Sequence, residues 1–403
     1  MALGRWFSRF RAFFKPLFPR QVTTSINFDG KVYNTEKFKR NDSSDPVFVV
    51  QTHNRSGFLK ILLHSLSKVK NIEKALLIIS SDLYDLAINE EVSKINFCQF
   101  QHIFYPFSAA WFPKQFPGTD PNDCDRDVKK VDALKLNCNN AQFPDKYGHY
   151  REAKYVQLKH HWMWKLQYVF KVVLPDDTES SVILLEDDYY MSPDILVVND
   201  FLRSQEKQLH PGKKNFDLIS LGNYEKKQVG NIQTWKSVQY QYDVQTFYAS
   251  SHNMGMSLNK RTFDKIYTCR KSFCIYDDYN WDWTLQNMIG TCMQEFKTLV
   301  AVAPRVFHLG ACVGPEGGTH VGKIKTACDL EGIKNKFSKY AEQIPTDLGI
   351  DVKFKPRKLT DPKRKAQKAN GGWGDPRDHA LCMDYNLVGM GKNGKVNDQM
   401  EGF

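Results

Sequence analysis

The first twenty residues lack an apolar run long enough to cross a membrane. They contain five Phe and one Trp, but Arg and Lys interrupt every apolar run before it reaches the about 18 residues that a spanning helix needs. This composition excludes a spanning helix in that stretch. It predicts an interfacial segment or a truncated anchor region. The chain also shows no internal repeat, which excludes a solenoid or a propeller.

The nine cysteines include no C-x-x-C pair and no Cys/His group at the spacing of a zinc site, which argues against structural zinc. Six of the nine lie in the last third of the chain. This odd total predicts four disulfides and one buried thiol, and hence an oxidising compartment. Composition leaves the pairing open. Asn41-Asp-Ser43 is an N-glycosylation sequon in a polar stretch and points to the same kind of compartment.

The composition is that of a large globular protein with a basic surface. Of 403 residues, 41% are hydrophobic and 13% aromatic, which is enough to form a large core. The excess of 56 Lys and Arg over 45 Asp and Glu gives a net charge of +11. That charge suits an anionic ligand such as a nucleotide diphosphate. It fits dispersed solvated lysines, nucleic acid or an anionic membrane as well, and no nucleic-acid-binding motif accompanies it.

Apolar runs alternate with amphipathic segments in the first half of the chain. Residues 47–50 and 75–79 are predicted as buried strands with a helix over 57–70 between them, and a helix over 83–95 and a strand over 98–104 continue the pattern. The alternation predicts an α/β fold with a mostly parallel sheet and ligands at the carboxyl ends of its strands. We expect an N-terminal segment and linker over 1–45, the folded domain over 46–390 and a flexible tail over 391–403.

Two later segments carry their own periodicity. Residues 149–170 place apolar side chains on one stripe, which predicts an amphipathic helix with Gln157, His160 and His161 toward the edges of that stripe. Residues 235–247 alternate between apolar and polar side chains, which predicts a β-hairpin.

The stretch VILLEDDYY runs a buried strand, 182–185, directly into three acids, Glu186, Asp187 and Asp188. Repulsion and desolvation make such a cluster costly, and a divalent cation at the end of the strand would remove the repulsion. A cation held there would also bridge carboxylate and phosphate oxygens and neutralise a departing diphosphate. The alternative for a bare E-D-D is an exposed acidic turn.

Three other places support the metal and nucleotide interpretation. The loop Gln51-Thr52-His53-Asn54-Arg55 follows the first strand and Asp82 follows the second, where a nucleotide would lie, although each alone is an ordinary loop residue. In the run YDDYNWDW, Asp282 lies between two Trp residues. Burial beside those rings would raise its pKa, as a general base requires. His308 follows an apolar strand and is either a structural residue or a metal ligand beside Asp188.

The chain resembles the N-acetylglucosaminyltransferase II family. The resemblance spans roughly residues 46 to 385 in order. It is carried by the runs NFCQF, FPGTDPNDCDRD, ALKLNC, YGHYREAKYVQLKHHWMWKL, LEDDYYMSPD, HNMGMSL, FCIYDDYNWDWTLQ, PRVFH and NGGWGDPRDHALC.

The resemblance implies a GT-A glycosyltransferase fold, UDP-GlcNAc as donor, Mn²⁺ as cofactor and inversion at the anomeric carbon. The acceptor would be O2 of the α1,6-arm mannose of a glycoprotein N-glycan, in a β1,2 linkage. The family also implies a Golgi location as a type II membrane protein, although no anchor is recognisable in this chain, and the N-terminus offers the expected membrane association.

The resemblance also implies roles for individual residues. Asp282 would be the catalytic base, Asp188 and His308 the metal ligands, and Asn253 a support near the transferred sugar. Separately from the resemblance, the density of aromatic residues over 276–283 suits stacking on sugar rings and predicts that Trp281 or Trp283 faces the acceptor. The contacts to UDP-GlcNAc would come from Gln51, Thr52, His53, Asn54, Arg55, Asp82, Gln157, Leu158, Lys159, His160 and His161.

The family pattern further implies four disulfides and one free thiol. The pairs would be Cys124–Cys138, Cys269–Cys292, Cys274–Cys382 and Cys312–Cys328, with Cys98 free.

Rival interpretations come from other classes of protein. An inactive glycan-binding homologue would keep the fold and the aromatic residues, but the retained acids and His308 argue against it. A metal-dependent phosphohydrolase would use the cation to activate water instead. A sister β1,2-GlcNAc-transferase that acts on another mannose would share the E-D-D chemistry, and the runs YDDYNWDWTL and HHWMWK favour the α1,6-arm enzyme.

Overall fold

The structure is a computed structural model that describes residues 17–209, 216–224, 231–293, 296–309, 329–346, 354–358 and 368–385. Its strands are β1 (Val47–Thr52), β2 (Leu76–Ser81), β3 (Gln99–Phe104), β4 (Val182–Glu186), β5 (Tyr189–Met191), β6 (Leu218–Ser220), β7 (Gln241–Gln245), β8 (Met256–Leu258), β9 (Thr298–Ala301), β10 (Val306–His308) and β11 (Lys355–Lys358).

The α-helices cover both the sheet-flanking layers and the loop-rich regions. They are α1 (Leu17–Asp29), α2 (Ser56–Leu66), α3 (Leu86–Ser93), α4 (Lys130–Leu136), α5 (Ala153–Tyr168), α6 (Ile195–Leu209), α7 (Ile232–Val238), α8 (Ala249–His252), α9 (Lys260–Thr268), α10 (Arg270–Ile275), α11 (Trp281–Thr291), α12 (Leu330–Ala341) and α13 (Pro376–Met383). No helix in the described ranges is long and apolar enough to cross a membrane.

A mixed sheet of nine strands, in the order β11-β7-β9-β6-β8-β4-β1-β2-β3, forms the centre of the molecule. Strands β4, β1, β2 and β3 are parallel neighbours, and β8 runs antiparallel to both β4 and β6. Strands β5 and β10 form a separate antiparallel pair. The predicted α/β class with a largely parallel central sheet is therefore confirmed.

Both faces of the parallel strands are buried, which explains their unbroken apolar runs. In β1, Val47 and Val49 belong to one core cluster and Phe48 and Val50 to the other, because successive side chains point to opposite faces. The same division holds in β2 and β4. A sheet with helices on both sides needs apolar residues on both faces, as parallel sheets usually do.

The predicted hairpin over 235–247 is wrong. Residues 232–238 form α7, and only β7 follows it, pairing with β9 and β11. The side chain of Asn231 caps the helix by accepting from the backbone N–H groups of Gln233 and Thr234. Trp235 is fully buried and donates from Nε1 to the carbonyl oxygen of Pro304 at 2.9 Å. The cap at Asn231 was the sequence signal that the alternation obscured.

Part of the expected N-terminal linker packs on the sheet. Helix α1 lies against β3, where the side chain of Asn27 donates to the carbonyl oxygen of Phe104 at 2.6 Å and accepts from its N–H at 2.8 Å. Tyr33 forms an antiparallel bridge with Phe100 of the same strand. The expected tail over 391–403 lies outside the described residues.

Three of the four expected disulfides are confirmed, namely Cys124–Cys138, Cys269–Cys292 and Cys274–Cys382. Cys98 is a buried free thiol, as expected. The pair Cys312–Cys328 lies outside the described residues. The bridge from Cys274 to Cys382 joins α10 to α13 and thereby holds the C-terminal segment against the core.

Candidate active site

Polar side chains gather where β1, β2 and β4 end. These strands are parallel and in register, so that Gln51 lies beside Ser80 of β2 and Glu186 of β4. The carboxyl ends of the three strands therefore meet at one edge of the sheet. The loop 51–55, Asp82 and the three acids are brought together there, as the sequence predicts.

Arg55 balances the charge of two of the acids after β4. Its guanidinium donates to Asp187 and, at 2.8 Å, to Oδ2 of Asp188. Thr52 donates from Oγ1 to Asp187 at 3.0 Å. Burial raises the pKa of Asp187 to about 6 although Arg55 acts against it. The protein itself thus supplies a cation beside the cluster, so the three acids alone do not require a metal.

The charge of Glu186, the first acid, is opposed by the charge of a buried lysine. Lys165 on α5 donates from Nζ to Oε1 of Gln51 at 2.7 Å. Burial lowers the pKa of Lys165 and raises that of Glu186, while the charge of each opposes the shift of the other. The contacts predicted from sequence do not include Lys165. A signal was present, because it lies four residues after His161 on the same helix and therefore on the same face.

His308 lies beside Asp188. Strand β10 pairs with β5 so that His308 faces Tyr189, and this places its Nε2 3.4 Å from Oδ2 of Asp188. The interaction with Asp188 raises the pKa of His308. Burial acts to raise the pKa of Asp188, but His308 and Arg55 outweigh it, and the pKa stays below its usual value.

The other oxygen of Asp188, Oδ1, is buried and has no hydrogen-bond partner among the described residues. A carboxylate oxygen and an imidazole nitrogen are ligands that suit divalent ions. Within the described ranges, however, no group of three or more His, Cys, Asp or Glu side chains has the arrangement of a metal site. The pair of Asp188 and His308 would need further ligands from a bound substrate.

Asp82 organises a second group of polar side chains at the end of β2. Its Oδ1 lies 2.6 Å from Nδ1 of His53, and its Oδ2 accepts from Nε2 of Gln157 at 2.7 Å. His161 is buried, with Nε2 2.7 Å from Oγ of Ser80. Burial lowers the pKa of His161 to about 3, so the ring is neutral at pH 7. Four predicted donor contacts therefore form one cluster.

The remaining predicted contacts on the loop and on α5 lie in different surroundings. Asn54 is exposed, and Leu158 is 40% exposed. Lys159 is fully buried and donates from Nζ to the carbonyl oxygens of Tyr276 and Asp278, each at 2.9 Å. The buried ring of His160 lies 3.0 Å from Asp378 and 2.9 Å from the hydroxyl of Tyr385. These contacts support the fold, and their predicted role in donor binding stays a prediction.

Asp282 occupies the first turn of α11. Its Oδ2 accepts from Nδ2 of Asn253 at 2.9 Å, and its Oδ1 accepts from the backbone N–H of Trp283 at 2.8 Å. Burial raises the pKa of Asp282, as the sequence predicts for an acid beside aromatic rings. The neighbouring Trp281 stacks on the buried Trp162, with ring centroids 4.9 Å apart. Its predicted place at the acceptor stays a prediction.

Tyr224 connects Asp282 with the acids after β4. Burial raises the pKa of Tyr224 to about 12, and the charges of Glu186, Asp282 and Asp188 add to the shift, whereas a hydrogen bond with Asn253 opposes it. The ring of Tyr224 also lies 6.4 Å from that of His308. The contacts predicted from sequence do not include Tyr224, which follows the Leu-Gly turn after β6 at the carboxyl end of that strand.

The solved structures that are similar to this chain include two that match at low sequence identity. TarS from S. aureus matches with a TM-score of 0.32 and 12% identity, covering 65% of this chain and 59% of that chain. Mouse xyloside xylosyltransferase 1 in its apo form matches with a TM-score of 0.28 and 12% identity, covering 60% and 74%.

Sequence comparison gives much closer matches to alpha-1,6-mannosyl-glycoprotein 2-beta-N-acetylglucosaminyltransferases. The protein of Rattus norvegicus is 40% identical over 372 residues, which cover 91% of this chain and 80% of the relative. The human protein is 38% identical over 91% of this chain and 79% of the relative. The protein of Arabidopsis thaliana is 31% identical over 87% and 77%.

The model of the family described as N-acetylglucosaminyltransferase II (MGAT2) matches residues 20–382. This match covers the loop 51–55, the three acids after β4, Asp282, His308 and the three observed disulfides. The chain therefore belongs to the N-acetylglucosaminyltransferase II family.

Proposed function

We propose that this protein transfers GlcNAc from UDP-GlcNAc to O2 of the α1,6-arm mannose of an N-glycan, forming a β1,2 linkage. The observation that carries the proposal is the convergence at Tyr224. The charges of the candidate base Asp282 and of Asp188 both raise the pKa of Tyr224, and the ring of Tyr224 lies 6.4 Å from that of His308, which supports a single crevice for these groups. The names of the relatives in this family describe the same reaction. Together, a base and a diphosphate site in one crevice suit glycosyl transfer.

The reaction is a single displacement. Asp282 accepts the proton of the mannose O2 as that oxygen forms a bond to C1 of GlcNAc. The bond from C1 to the diphosphate oxygen breaks, and UDP leaves with the electron pair. One base suffices for inversion. The hydrogen bonds from Asn253 and from the Trp283 N–H hold the carboxylate of Asp282 in one orientation, and burial keeps it more basic than an exposed Asp.

Replacing the base gives the sharpest test. Asp282→Asn keeps the shape of the side chain but cannot accept a proton, so we expect kcat to fall by about 10² to 10⁴ while affinity for UDP stays the same. The assay is UDP-GlcNAc turnover with a panel of defined N-glycans, followed by linkage analysis. Near-normal kcat in this variant would show that another group is the base.

The same assay separates the rival enzymes. A phosphohydrolase would cleave UDP-GlcNAc at the same rate with or without glycan, and an inactive homologue would not consume it. A sister transferase would modify a mannose other than that of the α1,6 arm.

We also propose Mn²⁺ as the cofactor, held by Asp188 and His308 with the diphosphate of the donor. The fit rests on the unpartnered Oδ1 of Asp188 and on the imidazole beside it. When bound, the ion would stabilise negative charge on the leaving diphosphate. Arg55 would then share Asp188 with the ion or keep only its contact with Asp187.

UDP binding measured by calorimetry tests the metal proposal without turnover. We expect Mn²⁺ to strengthen UDP binding to the wild-type protein. Asp188→Ala should lower the affinity for UDP in the presence of Mn²⁺ by at least about tenfold. Lys94→Ala, which breaks an exposed ion pair on another face, is the matched control. An unchanged Mn²⁺ effect in Asp188→Ala would contradict the ligand role.

We propose the Golgi lumen as the location, with membrane association through residues 1–20. The three disulfides support an oxidising compartment, where such bonds persist. Imaging of the full chain together with markers of each compartment tests the location.

A further inference from the structure

The chain contains two Asn-x-Ser sequons, Asn41-Asp-Ser43 and Asn54-Arg-Ser56, whose asparagines are 13 positions apart. Both asparagines are exposed, so exposure alone does not distinguish them. Their positions relative to β1 do. Asn41 precedes the strand and Asn54 follows it, so they lie at opposite ends of the sheet.

We propose that Asn41 carries an N-linked glycan in the active protein and that Asn54 remains unmodified. The inference rests on the proposed luminal location. In the modification, the amide nitrogen of Asn41 forms a bond to the anomeric carbon of a lipid-diphosphate-linked oligosaccharide. The bond from that carbon to the diphosphate breaks, the diphosphate leaves with the electron pair, and the nitrogen loses one proton. The host oligosaccharyltransferase supplies the co-substrate.

The turn around Asn41 lies at the amino-terminal ends of the parallel strands. The carbonyl oxygen of Ser43 accepts from the N–H of Glu179 at 2.6 Å, and Ser180 donates to the carbonyl oxygen of Asp42 at 3.5 Å. Residues 179–180 lead directly into β4. The catalytic crevice lies at the opposite ends of β1 and β4, on the order of 20 Å away for a six-residue strand. A glycan at Asn41 therefore leaves the crevice open.

The local conformation of the Asn41 turn is also compatible with a glycan. Oδ1 of Asn41 accepts from the N–H of Ser43 at 3.1 Å, which leaves the amide nitrogen without an intramolecular partner among the described residues. The flanking Arg40 and Asp42 line a cavity of about 920 Å³ between α1 and the edge of the sheet. The glycan would stand at the rim of this cavity, away from the acids after β4 and from Asp282.

Asn54 lies in the donor loop itself. The next residue, Arg55, contacts Asp187 and Asp188, and the preceding His53 contacts Asp82. An oligosaccharide attached between these two residues would occupy the crevice in which UDP-GlcNAc is proposed to bind. A molecule modified at Asn54 is therefore expected to lose UDP binding.

The test is peptide mapping of the full chain, directed into the secretory pathway of a eukaryotic host. Peptide-N-glycosidase in ¹⁸O-water converts each glycosylated Asn to a labelled Asp. We expect the label at Asn41 and a mass decrease of one glycan. Asn41→Gln and Ser43→Ala should show neither, Ser43→Thr should show both, and Asn41→Gln should keep the wild-type transferase activity.

The fraction retained on immobilised UDP is mapped separately and is expected to carry no label at Asn54. A label at Asn54 in that fraction overturns the inference, and so does an unglycosylated chain whose cysteines are oxidised. A chain whose cysteines stay reduced in that pathway contradicts the disulfides on which the proposed luminal location rests. The number of free thiols, measured on the same sample, therefore distinguishes the two failures.

Discussion

Asp187 and Asp188 face a guanidinium and an imidazole, whereas Asp277 and Asp278 accept hydrogen bonds mainly from the backbone of other loops. The two clusters look alike in the sequence, since each contains an Asp-Asp pair followed by Tyr. The two kinds of partner differ in whether a bound ligand can replace them. A mobile side-chain cation can be exchanged for a ligand, but a backbone N–H group cannot move away.

The second cluster, Asp277 and Asp278, holds the loop that precedes the candidate base in place. Asp277 accepts from the N–H groups of Lys146 (2.6 Å) and Trp373 (3.0 Å). Asp278 is fully buried and accepts from the N–H and side-chain amide groups of both Asn280 and Asn370. Asp282, four residues later, is therefore presented by a loop that the segment NGGWG clamps in position.

The largest expected effect that separates these roles is on stability. Asp278→Asn replaces an oxygen that accepts hydrogen bonds with an NH2 group that faces other donors. We therefore expect it to lower the free energy of unfolding by about 3 kcal/mol or more. Asp282→Asn should change it by less than about 1 kcal/mol, since the amide of Asn253 can turn its unpartnered Oδ1 toward the new group.

Urea denaturation measures the free energy of unfolding of both variants. Asp264→Asn is the control, because Asp264 is half exposed and its ion pair with Lys260 should contribute less than about 0.5 kcal/mol. Equal losses of stability at 278 and 282 would remove the distinction between the anchoring and the reacting acid.

The next largest expected effect is on kcat, when Lys159 is replaced. This lysine donates to the carbonyl oxygens of residues 276 and 278, and its Nζ lies 4.0 Å from the ring centroid of Trp373. Lys159→Met should let the loop shift and reduce kcat by roughly tenfold to a hundredfold, while KM for UDP-GlcNAc stays the same.

Lys154→Met on the exposed face of the same helix is the matched control and should behave like the wild type. A raised KM with unchanged kcat would instead support the donor contact that the family resemblance implies for Lys159.

The smallest effect concerns pH. Burial raises the pKa of Asp282, and the base must be ionised to accept a proton, so kcat should fall as the pH drops through a midpoint above the ordinary value of 3.8. Because the folded-state pKa is the higher one, protonation favours the folded state at this site. Activity is thus lost at low pH without a loss of stability from this group.

A pH profile of kcat, with stability measured in parallel, checks this expectation. The residual activity of Asp282→Asn should lack the acidic limb. A midpoint at or below 3.8 in the wild type would contradict the raised pKa.

The parallel half of the sheet was predictable from sequence because its strands are buried on both faces and follow one another along the chain. The runs at 47–50, 75–79 and 182–185 each became a strand within one or two residues. A strand before His308 was also expected, and β10 lies there. The pairing of the shorter strands was not predictable, because β6, β8 and β10 contain only three residues each and their partners are distant in sequence.

The candidate site divides in the same way. Side chains that directly follow long strands, such as Thr52, Asp82 and Asp188, were predicted and do lie at one edge of the sheet. Lys165 and Tyr224 were missed because their proximity to the acids depends on tertiary packing of α5 and of the turn after β6. The family resemblance selected Lys159 and His160, but a motif cannot show which way each side chain of a helix points.

Strand β3 is the last strand of the large sheet, and its outer backbone groups are occupied by Asn27 and Tyr33. A recombinant version that begins at residue 46 would lack these partners. The backbone N–H and C=O groups of β3 would then be exposed at the edge of the sheet, where they can pair with neighbouring molecules. Such a truncation should favour aggregation during purification, even though every side chain proposed for the reaction would still be present.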